Sequence, residues 1–318
     1  MTKYGLTLSS EEHPAPHLVN VAKAAEDAGF DFVSISDHFH PWISEQGHSP
    51  FVWSTLGAIA QATGEIGVGV GVSCPIMRIH PAVSAHAAAT TAQLLGDRFT
   101  WGVGTGEALN EHVLGDRWPP ADVRVEMLEE AIVLIRRLWE GESVTHRGRH
   151  FTVEDARIFD RPNPAPPIVV SAFGVRSAQV AAALGDGLWT TGIQTDVIEA
   201  YRSAGGDGPI WSQLSVCWDE NGETALERAH RVWPNTALPG QLAQDLPTVK
   251  HFEQATELVT LEDIENSSLP IGPDPDPILR SVKAAEDAGI DHVYLHQIGD
   301  PLQGFIEFWS ESLLPQLQ

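Results

Sequence analysis

The segment KAAEDAGFDFVSIS (Lys23–Ser36) has a close echo near the other end of the chain, KAAEDAGIDHVYLH (Lys283–His296). In each copy an amphipathic pattern typical of a helix ends at a glycine, and bulky residues typical of a strand follow after a short turn. Gly29 and Gly289 fit the position just after a helix, where a left-handed backbone favours glycine. Because the same unit occurs at both ends, the sequence predicts a closed βα repeat rather than two different domains.

Eight short apolar runs have the continuous hydrophobic character of strands that are covered on both faces of a sheet. The predicted strands are Tyr4–Leu8, Phe32–Ser36, Ile66–Val72, Phe99–Val103, Ile168–Ser171, Gly187–Thr190, Trp211–Cys217 and His292–His296. Eight strands that alternate with helices predict an α/β protein with a (β/α)8 TIM barrel, and a doubly wound open sheet is the alternative.

Amphipathic patterns between these runs predict the helices, several of which carry a proline early, where it is tolerated. They are Pro16–Ala28, Val52–Ala62, Pro81–Leu95, Val123–Trp139, Val175–Leu184, Val197–Ala204, Pro277–Ala288 and a last one near Gly304–Leu314. Two segments interrupt the alternation: 141–166 is interpreted as a hairpin, and 219–275 as a mostly helical insertion or lid. We therefore expect residues 1–318 to form a single barrel domain with two insertions.

The composition excludes several classes of function. A formal net charge of −24 argues against nucleic acid, whose phosphates require basic patches. The two cysteines, Cys74 and Cys217, cannot form a disulfide framework, and the start of the chain lacks the pattern of a signal peptide. No apolar run approaches the ~18 residues that are needed to cross a bilayer. We expect a cytoplasmic protein that acts on a small molecule, with no membrane and no nucleic-acid partner.

In TIM barrels the active site lies at the carboxyl ends of the strands, and several predicted strands end in polar or glycine-rich segments. These ends should converge on one mouth of the barrel. They are Asp37-His38, Gly71–Pro75, Gly104–Glu107, Ser171–Gly174, Thr190–Gly192 and His296-Gln297.

The second strand is followed by SDHFHPW, which places an acid, two histidines and a tryptophan close together. His38 and His40 could begin a metal site, but no later strand end offers a lysine and only His296 offers a further ring. The other interpretation makes His38, next to Asp37, a general base. Trp42 would then line the mouth of the barrel.

The fourth strand leads into GVGTGEALNEH (Gly102–His112), which places Glu107 and Asn110 just past a glycine-rich turn. The spacing does not fit the dinucleotide fingerprint G-x-G-x-x-G, because Glu107 occupies its last position. Glycines here would instead allow the backbone to approach a flat ligand. Glu107 is a candidate acid if burial favours its protonated form, and the alternative is a glutamate at the start of a helix.

Two further strand ends are candidate ligand sites. The segment SAFGVRSA (Ser171–Ala178) opens a helix whose free backbone N–H groups favour a phosphate, and Arg176 in the first turn would assist. A plain turn between strand and helix is the alternative. The segment Gly71–Pro75, which includes Cys74, could form a bulge that brings backbone against a ring face.

These motifs together resemble the luciferase-like superfamily of flavin and deazaflavin barrel enzymes, over essentially the whole chain. More narrowly, the chain resembles the family of the coenzyme F420-dependent glucose-6-phosphate dehydrogenases. The segments that carry the resemblance are SDHFHPW (Ser36–Trp42), GHSPFVW (Gly47–Trp53), GTGEALNEH (Gly104–His112) and SAFG (Ser171–Gly174) with GDG (Gly185–Gly187).

The resemblance implies a TIM barrel with insertions, a homodimer and the deazaflavin F420 bound across the strand ends. In this family the histidine of SDHF, here His38, takes a proton from a substrate hydroxyl while hydride passes to C5 of F420. Trp42 and Glu107 would flank the cofactor, and Glu107 would protonate or stabilise the reduced ring at N1. His38, Trp42 and Glu107 are therefore the predicted catalytic residues.

The resemblance also implies contacts around the rest of the cofactor. Asp37 and Asn110 match positions at its head, and Gly71-Val72 matches a bulge with a non-proline cis peptide bond under the ring. The positions from Ala172 to Gly174, with Thr191, match those around the ribityl chain and the phosphate. With the strand-end residues noted above, the predicted cofactor-binding set is Asp37, Gly71, Val72, Cys74, Asn110, Ser171, Ala172, Phe173, Gly174, Arg176, Thr190 and Thr191.

One departure from the family bears on the substrate. The sugar-phosphate members hold the substrate phosphate with two lysines and an arginine, and the corresponding positions here are Gln194, Gln241 and Ser267. A phosphate without cations loses charge-assisted hydrogen bonds, each worth about 1.5–3 kcal/mol. We therefore expect an uncharged alcohol, or a carbonyl or activated alkene in the reverse direction, rather than glucose 6-phosphate.

Three alternatives stay open at the level of sequence. An FMN-dependent monooxygenase would share the fold, a metal-dependent barrel hydrolase would use His38 and His40 as ligands, and a binding protein would hold F420 without turnover.

Overall fold

The computed structural model describes residues 2–317, and ten strands are found there. They are β1 (Lys3–Leu8), β2 (Phe32–Ile35), β3 (Gly67–Ser73), β4 (Phe99–Val103), β5 (Val144–Arg147), β6 (Thr152–Ala156), β7 (Ile168–Ser171), β8 (Gly187–Thr191), β9 (Ile210–Val216) and β10 (His292–Gln297). Eight of them form a closed parallel barrel in the order β1-β10-β9-β8-β7-β4-β3-β2. The predicted TIM barrel is confirmed, and every predicted strand is present with ends shifted by at most one residue.

Helices cover the outside of the barrel and fill the long connections. They are α1 (Ala15–Asp27), α2 (Val52–Ala62), α3 (Pro81–Leu95), α4 (Ala108–Glu111), α5 (Ala121–Trp139), α6 (Val175–Leu184), α7 (Thr195–Ser203), α8 (Gly222–Val232), α9 (Leu242–Asp245), α10 (Val249–Thr256), α11 (Leu261–Glu265), α12 (Pro275–Asp287), α13 (Leu302–Phe308) and α14 (Leu314–Leu317). A π-helical turn, Trp309–Leu313, joins the last two, where the sequence predicts one continuous helix. None of the helices in the described range is long and apolar enough to cross a membrane.

The two sequence echoes adopt the same structure, as predicted. Gly29 follows α1 with φ +82°, and Gly289 follows α12 with φ +80°. In both copies the next residue donates its backbone N–H back into the helix, from Phe30 to Ala25 and from Ile290 to Ala285, each at 3.1 Å. These bonds satisfy carbonyl groups that a helix end leaves free, and they turn the chain into β2 and β10.

Aromatic side chains fill the lower barrel. The rings of Trp189 and Trp211 stack with centroids 4.8 Å apart, and the Trp189 indole N–H donates to the Tyr294 hydroxyl at 2.6 Å. Glycine at position 71 makes room for them, because a Cβ there would lie 2.7 Å from both the Trp189 ring and the Ser34 hydroxyl. Since the interior is packed with side chains, a ligand has to bind at the mouth.

The two interruptions of the alternation are a hairpin and a helical segment. Strands β5 and β6 pair antiparallel, and 219–275 contains α8 to α11. The helical segment packs on the loop that follows β2: the rings of Phe252 and Trp42 lie 5.1 Å apart, and Gln46 donates to the Val232 carbonyl at 3.0 Å. It therefore supports one wall of the mouth.

Candidate active site

His38 lies just past the end of β2, with 9% of its surface exposed. Its Nε2 is 3.3 Å from Oε1 of Glu11, a residue of the loop after β1. Burial acts to raise the pKa of Glu11, but His38 and the hydroxyl of Ser36 outweigh it, so that this pKa is lowered. Glu11 is therefore an ionised acceptor for the Nε2–H of His38.

The other ring nitrogen of His38 has both a donor and an acceptor beside it. Nδ1 lies 3.1 Å from the side-chain amide nitrogen of Asn110 and 3.1 Å from the carbonyl oxygen of His40. With Nε2–H assigned to Glu11, a neutral ring accepts at Nδ1 from Asn110, and a protonated ring donates from Nδ1 to His40. His38 can therefore gain or lose a proton without leaving a buried nitrogen unpaired.

Asn110 connects the two principal candidate catalytic residues. Its amide nitrogen is 3.1 Å from Nδ1 of His38 and 3.3 Å from Oε2 of Glu107. Its amide oxygen accepts from the backbone N–H groups of Phe39 and His40 at 2.8 and 3.2 Å. One fully buried side chain of α4 thus fixes the loop after β2 and brings His38 and Glu107, far apart in sequence, into one site.

Glu107 occupies the N-cap position of α4 but does not cap the helix with its side chain. Within residues 2–317 that side chain accepts no backbone hydrogen bond from α4. This finding disfavours the alternative that the sequence left open, a glutamate at the start of a helix with a capping role. The ring of Trp42 packs edge-on against that of His38, with centroids 4.9 Å apart.

Asp37 belongs to a buried charge network that the sequence did not reveal. The Arg78 guanidinium donates to Oδ1 of Asp37 at 2.8 Å and lies 3.4 Å from Oε1 of Glu111. Burial is the main cause that raises the pKa of Glu111 to about 7, although Arg78 opposes it. Oδ2 of Asp37 is buried and has no hydrogen-bond partner in the described part of the chain.

The end of β3 has the irregular backbone that the resemblance implied. The Gly71-Val72 peptide bond is cis, and the register with β4 shifts between Val70 and Ser73. Cys74 is buried next to Gly106, where a Cβ would lie 2.6 Å from the thiol sulfur. Burial raises the pKa of the Cys74 thiol, with Glu111 and Glu107 adding to it, so the thiol stays protonated.

The end of β7 is partly open, but its arginine is engaged. Ser171 is half-buried, Ala172 is buried and Phe173 is 52% exposed. Gly174 is the N-cap of α6, and because glycine has no side chain it does not cap the first N–H groups of the helix. These N–H groups are therefore able to bind an anion. Arg176 forms an ion pair with Glu129 at 2.6 Å on an exposed surface. To bind a phosphate, as the sequence predicts, its guanidinium would have to leave Glu129.

Thr190 and Thr191 differ in accessibility at the end of β8. Trp189 lies in the barrel interior, so the alternation of side chains along a strand turns Thr190 outward and Thr191 inward. Thr190 is fully buried, and Thr191 is exposed. Of the two, only Thr191 has a side chain that can face a ligand. A ligand could contact Thr190 only through its backbone.

His38 and His40 do not form a metal centre together. His40 directs Nδ1 to the Leu109 carbonyl at 3.1 Å, whereas His38 is bound to Glu11 and Asn110. Between residues 2 and 317, three histidine or acidic groups converge as metal ligands only at another place, which includes neither histidine. The metal-dependent hydrolase therefore has no support at this site.

The mouth offers a ligand an unpaired hydrogen-bond acceptor and space beside a glycine. It offers the free carboxylate oxygen of Asp37, and glycine at position 104 keeps a gap that a Cβ would fill, 3.0 Å from Val72 and 3.3 Å from Ser171. A buried polar atom without a partner is costly, so a ligand group that pairs with Asp37 would be favoured.

The sequence analysis missed three buried charged residues of the site: Glu11, Arg78 and Glu111. Glu11 belongs to Ser9–Glu12, which reads as an exposed polar loop although all four residues are buried. The signal was present, since these residues follow the first strand at the mouth of the barrel. Nothing in the spacing of Arg78 and Glu111 pointed to Asp37.

Comparison with known proteins identifies the family. The luciferase-like monooxygenase family matches residues 1–294. The chain is 33% identical to the F420-dependent glucose-6-phosphate dehydrogenase of Segniliparus rotundus, over 99% of this chain and 98% of the relative. The chain therefore belongs to the luciferase-like family and, within it, to the branch of the F420-dependent dehydrogenases.

Two further relatives have other names. The F420-dependent hydroxymycolic acid dehydrogenase of Mycobacterium tuberculosis is 36% identical, over 99% of this chain and 88% of the relative. A solved structure of an F420-dependent secondary alcohol dehydrogenase, in complex with an F420-acetone adduct, is similar with a TM-score of 0.90. It is 28% identical, and the match covers 100% of this chain and 99% of that one.

Proposed function

We propose that the chain is an F420-dependent oxidoreductase that transfers hydride between an uncharged alcohol and F420, and in reverse reduces a carbonyl or activated alkene. The observation that carries the proposal is the contact of one amide, that of Asn110, with both His38 and Glu107. A base and an acid at one mouth are what removal of a hydroxyl proton beside a hydride acceptor requires. The names of the relatives support F420 as the cofactor.

When bound, F420 supplies the centre that accepts or donates hydride. His38 would take the proton of the substrate hydroxyl at Nδ1 in exchange for the hydrogen bond from Asn110, and the protonated nitrogen would donate to the His40 carbonyl. Glu11 would stabilise the resulting imidazolium through its contact with Nε2. Trp42 and Glu107 would flank the cofactor, and the free oxygen of Asp37 would pair with its head.

The absence of charge at three aligned positions supports an uncharged substrate. Gln194, Gln241 and Ser267, the positions that align with the phosphate-binding cations of the sugar-phosphate enzymes, are exposed and carry no charge. The similar alcohol dehydrogenase was solved with an adduct of acetone, a small uncharged ketone. A secondary alcohol without a phosphate is therefore the proposed substrate class.

The cofactor is tested by separate titrations of the purified chain with F420 and with FMN, followed by fluorescence. We expect F420 to bind at micromolar concentration or below, and FMN at least about tenfold more weakly. Tight binding of FMN alone, with oxygen consumption on reduction, would instead support a monooxygenase.

The substrate class is tested with F420-loaded protein in an absorbance assay of F420 reduction. We expect turnover with propan-2-ol or a larger secondary alcohol, and none above background with glucose 6-phosphate. Turnover with the phosphate alone would contradict the substrate class. Binding of F420 without turnover of any alcohol, carbonyl or alkene would leave a cofactor-binding protein.

Two other predictions from the sequence stay predictions: a homodimer and a cytoplasmic location. Light scattering of the purified chain, with and without F420, tests the homodimer directly.

A further inference from the structure

A cluster of metal-ligand groups lies beside the active site, between the loop after β1 and the loop after β10. His13 precedes α1, His17 lies in its first turn, and Asp300 follows β10. Each residue offers one ligand atom, and the three atoms lie within 4.8 Å of one another. His13 is 6% exposed, whereas His17 is half-buried and Asp300 is exposed. The cluster therefore has a fixed inner ligand and two outer ligands that can adjust.

Both imidazoles of the cluster carry a nitrogen that is not otherwise used. Nε2 of His13 and Nε2 of His17 are buried, and neither has a hydrogen-bond partner among the described residues. The two rings lie 4.8 Å apart at 40° and form no stacked or edge-on pair that would explain their proximity. Because buried polar atoms are normally paired, two free ring nitrogens next to a carboxylate point to a missing ligand.

The donor set selects the class of ion. Two imidazoles and a carboxylate match Zn²⁺ and related transition metals, whereas Mg²⁺ and Ca²⁺ prefer oxygen ligands throughout. A neutral imidazole keeps the lone pair that a metal requires.

We propose that His13, His17 and Asp300 bind one Zn²⁺-class ion that connects the loop after β1 to the loop after β10. A tetrahedral ion sets its ligand atoms about 3.4 Å apart, so the outer two side chains would move inward by about 1 Å. His13 and Asp300 also line a cavity of about 200 Å³, which gives an entry path and space for a water as the fourth ligand.

The position of the site implies a structural role next to the active site. Glu12 already connects the same two loops, because its Oε2 accepts from the Gly299 N–H at 2.6 Å. Glu11, on the same loop, contacts His38. An ion at His13 would therefore hold the segment that carries both acids, and the proposal is independent of the cofactor and of the substrate.

The test uses the full-length chain without an affinity tag, stripped with a chelator and dialysed against ZnSO₄. Metal analysis should find one zinc per chain, and thermal unfolding should shift to a higher temperature in the presence of zinc. The variants His17→Gln and Asp300→Asn, at the two outer positions, should each weaken zinc binding about tenfold or more. Co²⁺ in place of zinc should give the visible absorption of a four-coordinate site.

The matched control is His86→Gln, at an exposed histidine of α3 outside the cluster. It should bind zinc as tightly as the unmodified chain. Less than a fifth of an equivalent in the unmodified chain, or equal affinity in His17→Gln and His86→Gln, would overturn the proposal.

Discussion

Glu11 and Glu12 are neighbours in the chain, yet they hold histidines on opposite sides of β1, which pairs with both β2 and β10. Glu11 lies 3.3 Å from His38, whose second nitrogen faces both a donor and an acceptor. Glu12 lies 2.7 Å from His296, which is 1% exposed and packed under Trp233.

We propose that the first pair transfers a proton and that the second is structural. The two histidines occupy different positions of the repeated unit, since His296 lies within β10 and matches Ser36, whereas His38 lies two residues further on, past the end of β2. The second oxygen of Glu12 is bound to the Gly299 N–H, which fixes that pair between two loops. The other oxygen of Glu11 is bound to the Ser36 hydroxyl, and His38 keeps the freedom to change its protonation at Nδ1.

The largest effect should follow from His38→Ala. We expect kcat to fall by about 10²–10⁴-fold, because the base that removes the hydroxyl proton is lost. The Kd for F420 should change by less than about threefold, as measured by fluorescence titration. The control is His40→Gln, at the neighbouring histidine that binds a carbonyl. Unchanged turnover with a loss of F420 affinity would make His38 a binding residue.

The next effect should be on stability. Glu12→Ala leaves His296 and the Gly299 N–H buried without their partner, and breaking a buried pair costs about 3–5 kcal/mol. We expect the denaturant midpoint to fall strongly while kcat of the folded variant, assayed well below that midpoint, stays within about threefold. A large loss of kcat without a loss of stability would show that His296 also takes part in turnover.

The adjacent substitution, Glu11→Gln, should have the opposite profile. It removes the anion beside His38 but keeps a similar shape, and a charge-assisted hydrogen bond is worth about 1.5–3 kcal/mol. We expect kcat to fall about 10–100-fold with a smaller change in the denaturant midpoint than in Glu12→Ala. If both acids gave the same profile, the distinction between the two pairs would be wrong.

A smaller effect should come from Glu111, another buried acid of the mouth, whose pKa is raised from 4.5 to about 7. The folded protein holds this proton more tightly than the unfolded chain does. Its contribution is therefore fully present below pH 4.5 and is lost as the pH rises through about 7. The loss is up to about 3 kcal/mol, from 1.36 kcal/mol for each unit of pKa.

Glu111→Gln, which mimics the protonated acid, isolates this contribution. Unfolding of both proteins is compared at pH 5 and pH 8. The unmodified chain should lose more free energy of unfolding between the two values than the variant does. An equal pH dependence in the two proteins would mean that Glu111 is ionised throughout.

Much of the fold could be predicted because it depends on local signals. The two echoes fix a helix, a left-handed glycine and a strand at each end, and the apolar runs between them fix the remaining strands. The predicted helix Gly304–Leu314 was wrong only in continuity, since a π-helical turn interrupts it at Trp309. Pro315, two residues after that turn, lacks the backbone N–H that an α-helix would pair with the Glu311 carbonyl, and it was the signal that could have indicated the interruption.

The candidate site was predictable only in part. His38, Glu107 and Asn110 lie in recognisable motifs, and the structure brings them together. The position of Glu11 after the first strand was a usable signal, but its burial and the contact of Arg78 with Asp37 depend on how distant segments pack, which one sequence does not show. Arg176 could not be foreseen as a partner of Glu129, because that pair joins helices 47 positions apart.

The most direct test of the central claim follows the label from propan-2-ol deuterated at C2, incubated with the F420-loaded chain. If His38 and Glu107 border a deazaflavin that exchanges hydride with an alcohol, NMR should find deuterium at C5 of the reduced cofactor, with the signal lost in His38→Ala. The account would be contradicted if F420 were reduced while the deuterium remained in the alcohol or appeared in water.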